Sequence, residues 1–453
     1  MCSLVQKYNV PGPRYTSYPT VPFWDISTFS GKQWEETVKK SFHLSNSSTG
    51  ISLYIHLPFC ESMCTFCGCH KRITKRHDLE LPYIKSVLKE WGLYRNLFDE
   101  KPIIKELHLG GGTPTFFTPE NLKFLIEGIL RIATKAEDAE FSFEGHPNNT
   151  TKEHLQALYD VGFRRVSFGV QDYNETVQKA INRIQPFENV KNVTEWSREI
   201  GYDSISHDII FGLPHQKLEH VINTIEKTKE LKPDRIAFYS YAHVPWLAGN
   251  GQRGYNDADL PAGEEKRTQY EVGKELLLEY GYHEIGMDHF ALESDSLFKA
   301  MENGTLHRNF MGYTSSNTHL MVGLGASSIS DSWYGFAQNV KNVEEYQNLV
   351  ANDIIPLYRG HILTEEDQII RRHILNLMCQ FQTSWSVFKL HLPQLDSILD
   401  RLKELERDGI VVITEGNLRI TEKGRPFVRN VCMAFDLPLQ DKSPNTKLFS
   451  MTV

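Results

Sequence analysis

The sequence has little of three things: long apolar runs, excess positive charge and scattered cysteines. No stretch of its 453 residues approaches the roughly 18 consecutive apolar residues that a membrane-spanning helix needs, and the first residues carry no apolar leader. Acidic residues number 57 and basic ones 49, so the net charge is −8 and the positive field of a nucleic-acid-binding protein is missing. We therefore expect a cytoplasmic protein that has no membrane span and no nucleic-acid partner.

Cysteine is scarce, and most of it lies in one place. Four of the seven cysteines fall within ten residues, at Cys60, Cys64, Cys67 and Cys69. A chain of this length does not need disulfides for stability, and a secreted disulfide framework would spread its cysteines more evenly. The clustering favours metal binding or redox chemistry in a reducing compartment.

Strand-like and helix-like segments alternate along the middle of the chain. The sequence predicts strands at 51–57, 106–109, 140–144, 164–170, 204–211, 235–241 and 284–288. Helical spacing occurs between them, and such a series of β–α units implies a parallel sheet with helices outside it. No Gly-x-Gly-x-x-Gly follows the first strand, which disfavours a dinucleotide-binding sheet. We predict an α/β fold, an incomplete parallel (β/α) barrel of about six units.

The two ends of the chain differ in character from this barrel. We expect residues 1–48 to form an N-terminal strap and lead-in, 49–363 the barrel with an extension, and 364–453 a smaller, mainly helical domain. In the last part, two predicted helices precede a short hairpin that turns at Glu415-Gly416, which is typical of a winged-helix-like domain. Because the chain is acidic, we interpret this domain as a lid or substrate wall rather than as a DNA-binding unit.

The cysteine motif directly follows the first predicted strand. Its spacing is Cys60-x3-Cys64-x2-Cys67-x-Cys69. So short a loop can wrap one face of an iron–sulfur cubane and present three thiolates, the soft negative ligands that its irons require. The fourth iron then keeps an open position, as catalytic metal sites do. We predict a [4Fe–4S] cluster on Cys60, Cys64 and Cys67, with Cys69 as a neighbour of the cluster.

A zinc site with four cysteine ligands is the competing interpretation of this loop. Structural zinc sites usually draw two ligand pairs from separated segments, whereas all four thiols here share one short loop. Analysis of iron and labile sulfide after anaerobic purification separates this second hypothesis, a zinc-stabilised interaction module, from the first.

A glycine-rich segment, Gly110-Gly111-Gly112-Thr113, follows the second predicted strand. Glycines let backbone groups approach a ligand closely, although a tight turn between strand and helix also uses them. Its place at the carboxyl end of a barrel strand, where barrel sites form, favours the ligand-binding interpretation.

Polar side chains recur at the ends of the later strands. They are Glu144, Gln171, Asp172, Asp208 and Asp288. Any one of them could cap a helix or face solvent, but as a set on successive strand ends they favour a site on that rim.

The N-terminal segment from Tyr8 to Pro19 is rich in tyrosine and proline and contains Arg14. A surface arm and a strap that covers a flat ligand both fit this composition.

Together these motifs resemble the radical S-adenosylmethionine superfamily, and more narrowly the oxygen-independent coproporphyrinogen III oxidases. The narrower resemblance covers nearly all of the chain. It rests on the segments at 12–19, 67–69, 169–172, 208–214, 241–243, 286–290, 306–310 and 429–432.

The resemblance implies two molecules of S-adenosylmethionine in addition to the cluster. For the molecule at the cluster, the matching positions are Tyr54, Gly111, Glu144 and Ile329. For the second molecule they are Phe66, Gly112, Thr113, Gln171, Arg183, Asp208 and Ala242.

The activity that the resemblance implies is oxidative decarboxylation of two propionates of coproporphyrinogen III to vinyl groups, giving protoporphyrinogen IX in haem biosynthesis. One electron from the reduced cluster cleaves S-adenosylmethionine, and the 5′-deoxyadenosyl radical removes hydrogen from the propionate β-carbon. Loss of CO2 and of one electron completes the vinyl group. The cofactors carry this chemistry, so no general base is required. The substrate carries four carboxylates, for which Arg14 and Arg308 are candidate partners.

Two departures and one rival qualify this resemblance. Met311 stands where the family pattern has Gln, and His146 stands where Asp is common. The rival is a haem-binding chaperone of the same superfamily, which lacks the strap motif around Arg14 and the fourth cysteine, both of which this chain has.

The partners that we expect are coproporphyrinogen III and a low-potential one-electron donor such as a flavodoxin or ferredoxin. We expect the chain to act as a monomer.

Overall fold

The computed structural model describes residues 2–24, 26–246, 251–252, 254–386, 392–442 and 448–452. At the N-terminus, helices α1 (Cys2–Tyr8) and α2 (Gly31–Ser45) flank an extended segment that ends in a 3-10 turn at Val21–Phe23. α2 buries Trp34, Val38 and Phe42. These residues lie four apart, so they form one apolar face that packs against the sheet.

Strands and helices then alternate through the barrel. They are β1 (Ile51–Leu57), β2 (Phe59–Cys60), β3 (Arg72–Ile73), α3 (Glu80–Arg95), β4 (Ile103–Gly111), α4 (Pro119–Arg131), β5 (Thr134–Gly145), α5 (Lys152–Asp160), β6 (Arg165–Gln171), α6 (Glu175–Ala180), α7 (Phe187–Ile200), β7 (Ser204–Phe211), α8 (Leu218–Leu231) and β8 (Arg235–Ser240). Single 3-10 turns lie at His77–Leu79 and Pro114–Phe116.

The parallel sheet follows the order β1-β4-β5-β6-β7-β8, and every neighbouring pair in it is parallel. All seven residues of β1 are buried, as expected for a strand that is covered on both faces. The predicted incomplete parallel (β/α) barrel of about six units is therefore confirmed. Because the strands are parallel, their carboxyl ends and the following loops meet at one rim.

An extension follows the barrel. Its elements are α9 (Gly263–Glu279), β9 (His283–Gly286), β10 (His289–Ala291), α10 (Ser296–Glu302), β11 (His307–Asn309), β12 (Gly312–Thr314), β13 (Met321–Leu324), β14 (Ile329–Asp331), β15 (Gly335–Asn339), α11 (Val343–Ala351) and β16 (Leu357–Ile362). A 3-10 turn lies at Asp257–Asp259.

The extension lengthens the sheet at both edges, which the sequence did not predict. Within the described residues, the main sheet has twelve strands in the order β16-β15-β14-β13-β1-β4-β5-β6-β7-β8-β10-β9. The predicted last strand at 284–288 does not join β8 directly, because β10 lies between them and runs antiparallel to both. β13 pairs with β1 in parallel, and β14 to β16 continue antiparallel. Most of these added strands are short, so hydrophobic periodicity carries little signal for them.

The C-terminal part is mainly helical. It contains α12 (Glu365–Gln380), β17 (Gln382–Ser384), α13 (Leu395–Arg407), β18 (Val411–Thr414), β19 (Asn417–Ile420), a 3-10 segment at Glu422–Phe427, α14 (Val428–Phe435) and α15 (Leu437–Lys442). The predicted hairpin of β18 and β19 is present, and β17 adds a third antiparallel strand to it. Across the described part of the chain, no helix is long and apolar enough to span a membrane.

The N-terminal segment packs into the C-terminal core. Tyr8, Tyr15 and Tyr18 are buried in one apolar cluster with residues of α12, α13 and α14. The Tyr15 hydroxyl donates to Asp436 at 3.0 Å, and Arg429 Nε donates to the carbonyl of Pro13 at 2.8 Å. The interpretation of this segment as a loose surface arm is therefore wrong.

Candidate active site

The carboxyl ends of the barrel strands and the cysteine loop surround a cavity of about 490 Å³. Ligand cavities in proteins measure roughly 300–1,000 Å³, so the space suits a small organic ligand. The predicted residues that line it are Cys60, Cys64, Phe66, Cys67, Gly111, Gly112, Thr113, Glu144, Gln171, Arg183 and Asp208. The fold thus brings widely separated segments of the chain together at one rim.

The sulfur atoms of the cysteine loop have donors from the barrel. The Thr113 hydroxyl donates to Cys60 Sγ at 3.3 Å, and Arg183 Nη1 lies 3.7 Å from Cys64 Sγ as a donor. Hydrogen bonds and positive charge both favour the thiolate form of cysteine. Both donors are therefore placed to hydrogen-bond the sulfur ligands of a bound cluster.

The side chains of Cys67 and Cys69 lie close enough to shift each other's pKa in opposite directions. A hydrogen bond from the Cys69 thiol lowers the pKa of Cys67, and the nearby ammonium of Lys71 acts in the same direction. The same hydrogen bond raises the pKa of Cys69. Burial raises the pKa of Cys60 to about 11, so this thiol needs a bound cation to ionise at neutral pH. The sequence-based assignment of Cys67 as a ligand and of Cys69 as its neighbour stays a prediction.

The donor set fits a cluster better than a single ion. Among the described residues, no three His, Cys, Asp or Glu side chains converge tightly enough to hold one metal ion. Cys60, Cys64 and Cys67 line the same cavity, and a cubane needs one thiolate on each of three separate irons. The residues present therefore fit a [4Fe–4S] cluster.

The glycine loop is bonded to the strand that leads into the cysteine loop. The amide of Gly112 donates to Leu57 O at 2.9 Å, and that of Thr113 donates to Phe59 O at 3.0 Å. A Cβ at Gly112 would lie 2.6 Å from the carbonyl group of Pro58, and Gly111 has a positive φ of 116°. Glycine is therefore needed for close backbone approach at both positions.

Gly112→Ala is expected to lower the free energy of unfolding by about 1–3 kcal/mol, because backbone atoms of Pro58 must move to admit the new methyl group. Gly68→Ala is the matched control, since Gly68 lies in the cysteine loop and no heavy atom lies within 4 Å of a Cβ built there. Chemical denaturation of the anaerobically purified variants checks this. Equal losses in the two variants would contradict the close approach.

Glu144 ends β5 and faces the glycine loop. Its Oε2 accepts a hydrogen bond from the Gly111 amide at 3.3 Å, and its Oε1 lies 3.5 Å from His108 Nε2. About half of its side chain is exposed, so one carboxylate face remains open to a ligand. This open acceptor suits ribose hydroxyls or an amino group.

Glu144→Gln is expected to slow reductive cleavage of S-adenosylmethionine by about tenfold, because a neutral amide replaces a charged acceptor and charge-assisted hydrogen bonds are about twice as strong. The iron content should stay unchanged, since Glu144 touches none of the cysteines in the described hydrogen bonds. The rate of 5′-deoxyadenosine formation measures the effect, and an unchanged rate would reject this role.

The opposite wall of the cavity carries Gln171, Arg183 and Asp208. Arg183 Nη2 donates to Gly169 O at 2.8 Å, and Ser167 donates to Asp208 Oδ1 at 3.0 Å. Burial raises the pKa of Asp208 to about 7. This wall therefore offers a fixed cation and a carboxyl group that is ready to share a proton with a ligand.

Several predicted residues lie outside the cavity lining. Tyr54 is buried behind Gly110 with its hydroxyl 3.0 Å from His56 Nδ1, and Ile329 packs in a small apolar cluster with Trp24. Ala242 lies in a neighbouring cavity.

Two of the strand-end carboxylates also lie away from the cavity. Asp172 is fully buried and accepts from Gln216 at 2.7 Å, which is a structural contact. Asp288 forms an ion pair with Arg14 at 3.0 Å. Of the five polar strand-end residues, Glu144, Gln171 and Asp208 therefore line the cavity, and Asp172 and Asp288 do not.

Several lining residues were not proposed as site residues by the sequence analysis. Ser167, Gly169, Tyr239 and Lys71 all line the cavity. Ser167 and Gly169 alternate with Gln171 along β6, and alternate strand residues face the same side, so strand periodicity could have found them. His146, noted only as a departure from the family pattern, also lines the cavity, and burial lowers its pKa to about 2, so it is neutral there.

The two candidate substrate arginines lie together near the strap. Arg308 is only 5% exposed and donates from Nη2 to the carbonyl of Arg14 at 3.3 Å. Among the described residues, its Nε and Nη1 have no hydrogen-bond partner. Burial raises the pKa of Tyr239, and the charges of Asp208, Asp288, Arg14 and Arg308 also act on it.

Comparison with known proteins identifies the family. The radical SAM superfamily model matches residues 54–228, and the HemN C-terminal domain model matches residues 363–427. The oxygen-independent coproporphyrinogen III oxidase of Synechocystis sp. is 38% identical over 99% of this chain and 97% of its own length. This chain belongs to the oxygen-independent coproporphyrinogen III oxidase family. The family member from Helicobacter pylori is 37% identical over 99% of this chain and 98% of its own length.

A solved structure agrees with this membership. The coproporphyrinogen III oxidase of Escherichia coli, described as a radical SAM enzyme, matches with a TM-score of 0.89 and 34% identity, covering 97% of this chain and 99% of that chain. The resemblance drawn from the motifs is therefore confirmed. The prediction of a radical S-adenosylmethionine oxidoreductase that uses a [4Fe–4S] cluster and S-adenosylmethionine is confirmed with it.

Proposed function

We propose that this chain removes two propionate carboxylates of coproporphyrinogen III oxidatively, leaving vinyl groups and giving protoporphyrinogen IX. The observation that carries the proposal is the single cavity in which three cysteines, the glycine loop and Glu144 meet, within a family whose relatives match nearly the full chain. The reaction belongs to haem biosynthesis.

The cofactor ligands that we propose are Cys60, Cys64 and Cys67 for the cluster. When bound, the cluster supplies the electron that cleaves S-adenosylmethionine, whose 5′-deoxyadenosyl radical abstracts hydrogen. The chain's own residues then bind, orient and shield. Thr113 and Arg183 donate toward two of the sulfurs, and Glu144 offers an acceptor beside the glycine loop.

We propose Tyr54, Gly111, Glu144 and Ile329 for the S-adenosylmethionine at the cluster. The residues proposed for a second molecule are Phe66, Gly112, Thr113, Gln171, Arg183, Asp208 and Ala242. A shared hydrogen-bond donor supports the last assignment, because Gln252 Nε2 donates to both Phe66 O at 2.9 Å and Ala242 O at 3.0 Å. Ala242 is thereby tied to the cysteine loop although it lines another cavity.

We propose that the substrate carboxylates pair with Arg308 and Arg14. A buried guanidinium with two unpaired nitrogens is costly unless a ligand satisfies it, and arginine matches carboxylate in bidentate geometry. Hydrogen bonds of Tyr15 and Arg429 anchor the strap that carries Arg14. We propose that the strap covers the substrate and keeps water from the reacting groups.

The haem-chaperone alternative has less support. The chaperone is expected to lack the strap and the fourth cysteine, whereas this chain has both, and its strap is bonded to Asp288, Asp436 and Arg429. We further propose that the protein is a cytoplasmic monomer with domain boundaries after residues 48 and 363. It accepts electrons from a low-potential carrier.

Product analysis tests the proposed function. Cluster-loaded protein is incubated anaerobically with coproporphyrinogen III, S-adenosylmethionine and a low-potential reductant, and the porphyrins are separated after oxidation. Protoporphyrin that depends on S-adenosylmethionine is the expected result. Haem binding without any decarboxylation would instead favour the chaperone.

A further inference from the structure

A strip of positive charge follows the cysteine loop. The segment 70–77 contains four cations, Lys71, Arg72, Lys75 and Arg76, and no carboxylate, in a chain whose net charge is −8. Lys75 and Arg76 are exposed, and Ile73 between them and the loop is 43% exposed. We call these four cations and Ile73 the basic strip.

The basic strip is bonded directly to the residues proposed to hold the cluster. β3 pairs with β2 so that Ile73 lies opposite Cys60, and the amide of Thr74 donates to Cys60 O at 2.9 Å. Paired strands lie about 4.8 Å apart, so the exposed side chain of Ile73 stands one strand away from the first ligand. Lys71 Nζ donates to the carbonyls of Cys67 at 3.1 Å and Cys69 at 3.3 Å.

The carboxylates at its border leave the basic strip with excess positive charge. Asp78 pairs with Arg76 at 2.6 Å, and Glu344 pairs with Arg72. Lys75 forms no ion pair with any carboxylate in the described part of the chain.

We propose that the basic strip is the docking surface for an acidic one-electron carrier protein that reduces the cluster. This inference rests on the proposed function, and it names the partner's chemistry and its place. One electron passes from the reduced carrier to the cluster, so the carrier is oxidised by one electron and the cluster is reduced by one. An acidic flavodoxin and an acidic ferredoxin share this chemistry.

The positive charge of the basic strip favours an acidic carrier and directs it to this part of the surface. A carrier of like overall sign is repelled by most of this acidic chain, so a local positive strip orients its approach. Ile73 adds an apolar contact inside a charged rim, which is the composition of protein interfaces. An electron that enters here reaches the cluster by the short path through β3 and β2.

The test uses the cluster-loaded enzyme and follows reduction of the cluster by stopped-flow absorbance, with reduced acidic flavodoxin and reduced acidic ferredoxin in separate arms. The double variant Lys75→Glu/Arg76→Glu should lower the second-order rate constant at least about tenfold at low ionic strength, and the effect should fade in 0.5 M salt, where the Debye length shrinks to about 4 Å. An effect in only one arm identifies that carrier type as the partner. A rate equal to wild type in both arms would overturn the proposal.

The matched control is a double variant with the same change of net charge, placed on surfaces away from the basic strip. Lys39 and Lys403 are exposed, on α2 and on α13 of the C-terminal domain. Lys39→Glu/Lys403→Glu should reduce within about twofold of wild type, since steering depends on local charge. A tenfold loss in this control would also overturn the proposal, because it would make net charge the cause.

Two further measurements separate this inference from the proposed function. Reduction by dithionite should be the same in all three proteins, and titration calorimetry with the carrier whose reduction rate fell should show weaker binding for the strip variant alone. Neither measurement requires coproporphyrinogen III. If the carrier reduced the cluster normally but no porphyrin product formed, the proposed function would be overturned and the docking surface would still be supported.

Discussion

Replacing Cys60, Cys64 or Cys67 by alanine, one at a time, is expected to abolish the cluster and with it all cleavage of S-adenosylmethionine. Three thiolates are the minimum that holds a cubane with one open iron, so two cannot retain it. Iron and labile sulfide per chain after anaerobic reconstitution measure the loss. We expect values near background for each of the three variants.

Two cysteine variants serve as controls. Cys69→Ala should keep most of its iron, because we propose Cys60, Cys64 and Cys67 as the three ligands and Cys69 as a neighbour of the cluster. Cys379→Ala should keep all of it, since Cys379 is buried in the C-terminal core away from the cavity. If Cys69→Ala lost iron as completely as Cys67→Ala, the ligand assignment would be wrong.

The second large effect is expected for Arg308→Met. Loss of a bidentate partner for a substrate carboxylate should lower decarboxylation about 100-fold, because truncating a buried charge pair costs about 2–5 kcal/mol. Cleavage of S-adenosylmethionine should continue, so that 5′-deoxyadenosine forms without product. The ratio of porphyrin product to 5′-deoxyadenosine is the measurement.

Protein stability separates this binding role from a structural one. Arg308 has two unpaired nitrogens among the described residues, so Arg308→Met should leave the free energy of unfolding within about 1 kcal/mol of wild type or raise it. Arg371 is equally buried but is paired with Asp331, so Arg371→Met should cost about 3 kcal/mol. A comparable loss in Arg308→Met would show that its guanidinium holds the fold together.

Much of the fold could be predicted because the barrel strands are long and regular. The structure places β1 and β7 at the predicted residues, since apolar runs and turn residues mark both ends of each strand. The strands β13 to β16 were missed. They have three to six residues each and depend on pairing beside β1 rather than on their own pattern.

Some residues of the candidate site could likewise be predicted from the sequence, and others could not. Residues in contiguous motifs, such as Cys60 to Cys69 and Gly110 to Thr113, meet at the cavity because the loop after each parallel strand ends at the same rim. Lys71 and Tyr239 carry no motif of their own, and only the folded chain shows them at the cavity. Buried Arg308 illustrates the same limit, since its unpaired nitrogens are a property of packing.

Deuterium transfer tests the central claim most directly. Coproporphyrinogen III that is deuterated at the propionate β-carbons is turned over anaerobically with S-adenosylmethionine, and the 5′-deoxyadenosine is analysed by mass spectrometry. Our account predicts one deuterium in each 5′-deoxyadenosine that accompanies vinyl formation. Unlabelled 5′-deoxyadenosine formed together with protoporphyrinogen IX would contradict hydrogen abstraction from the propionate.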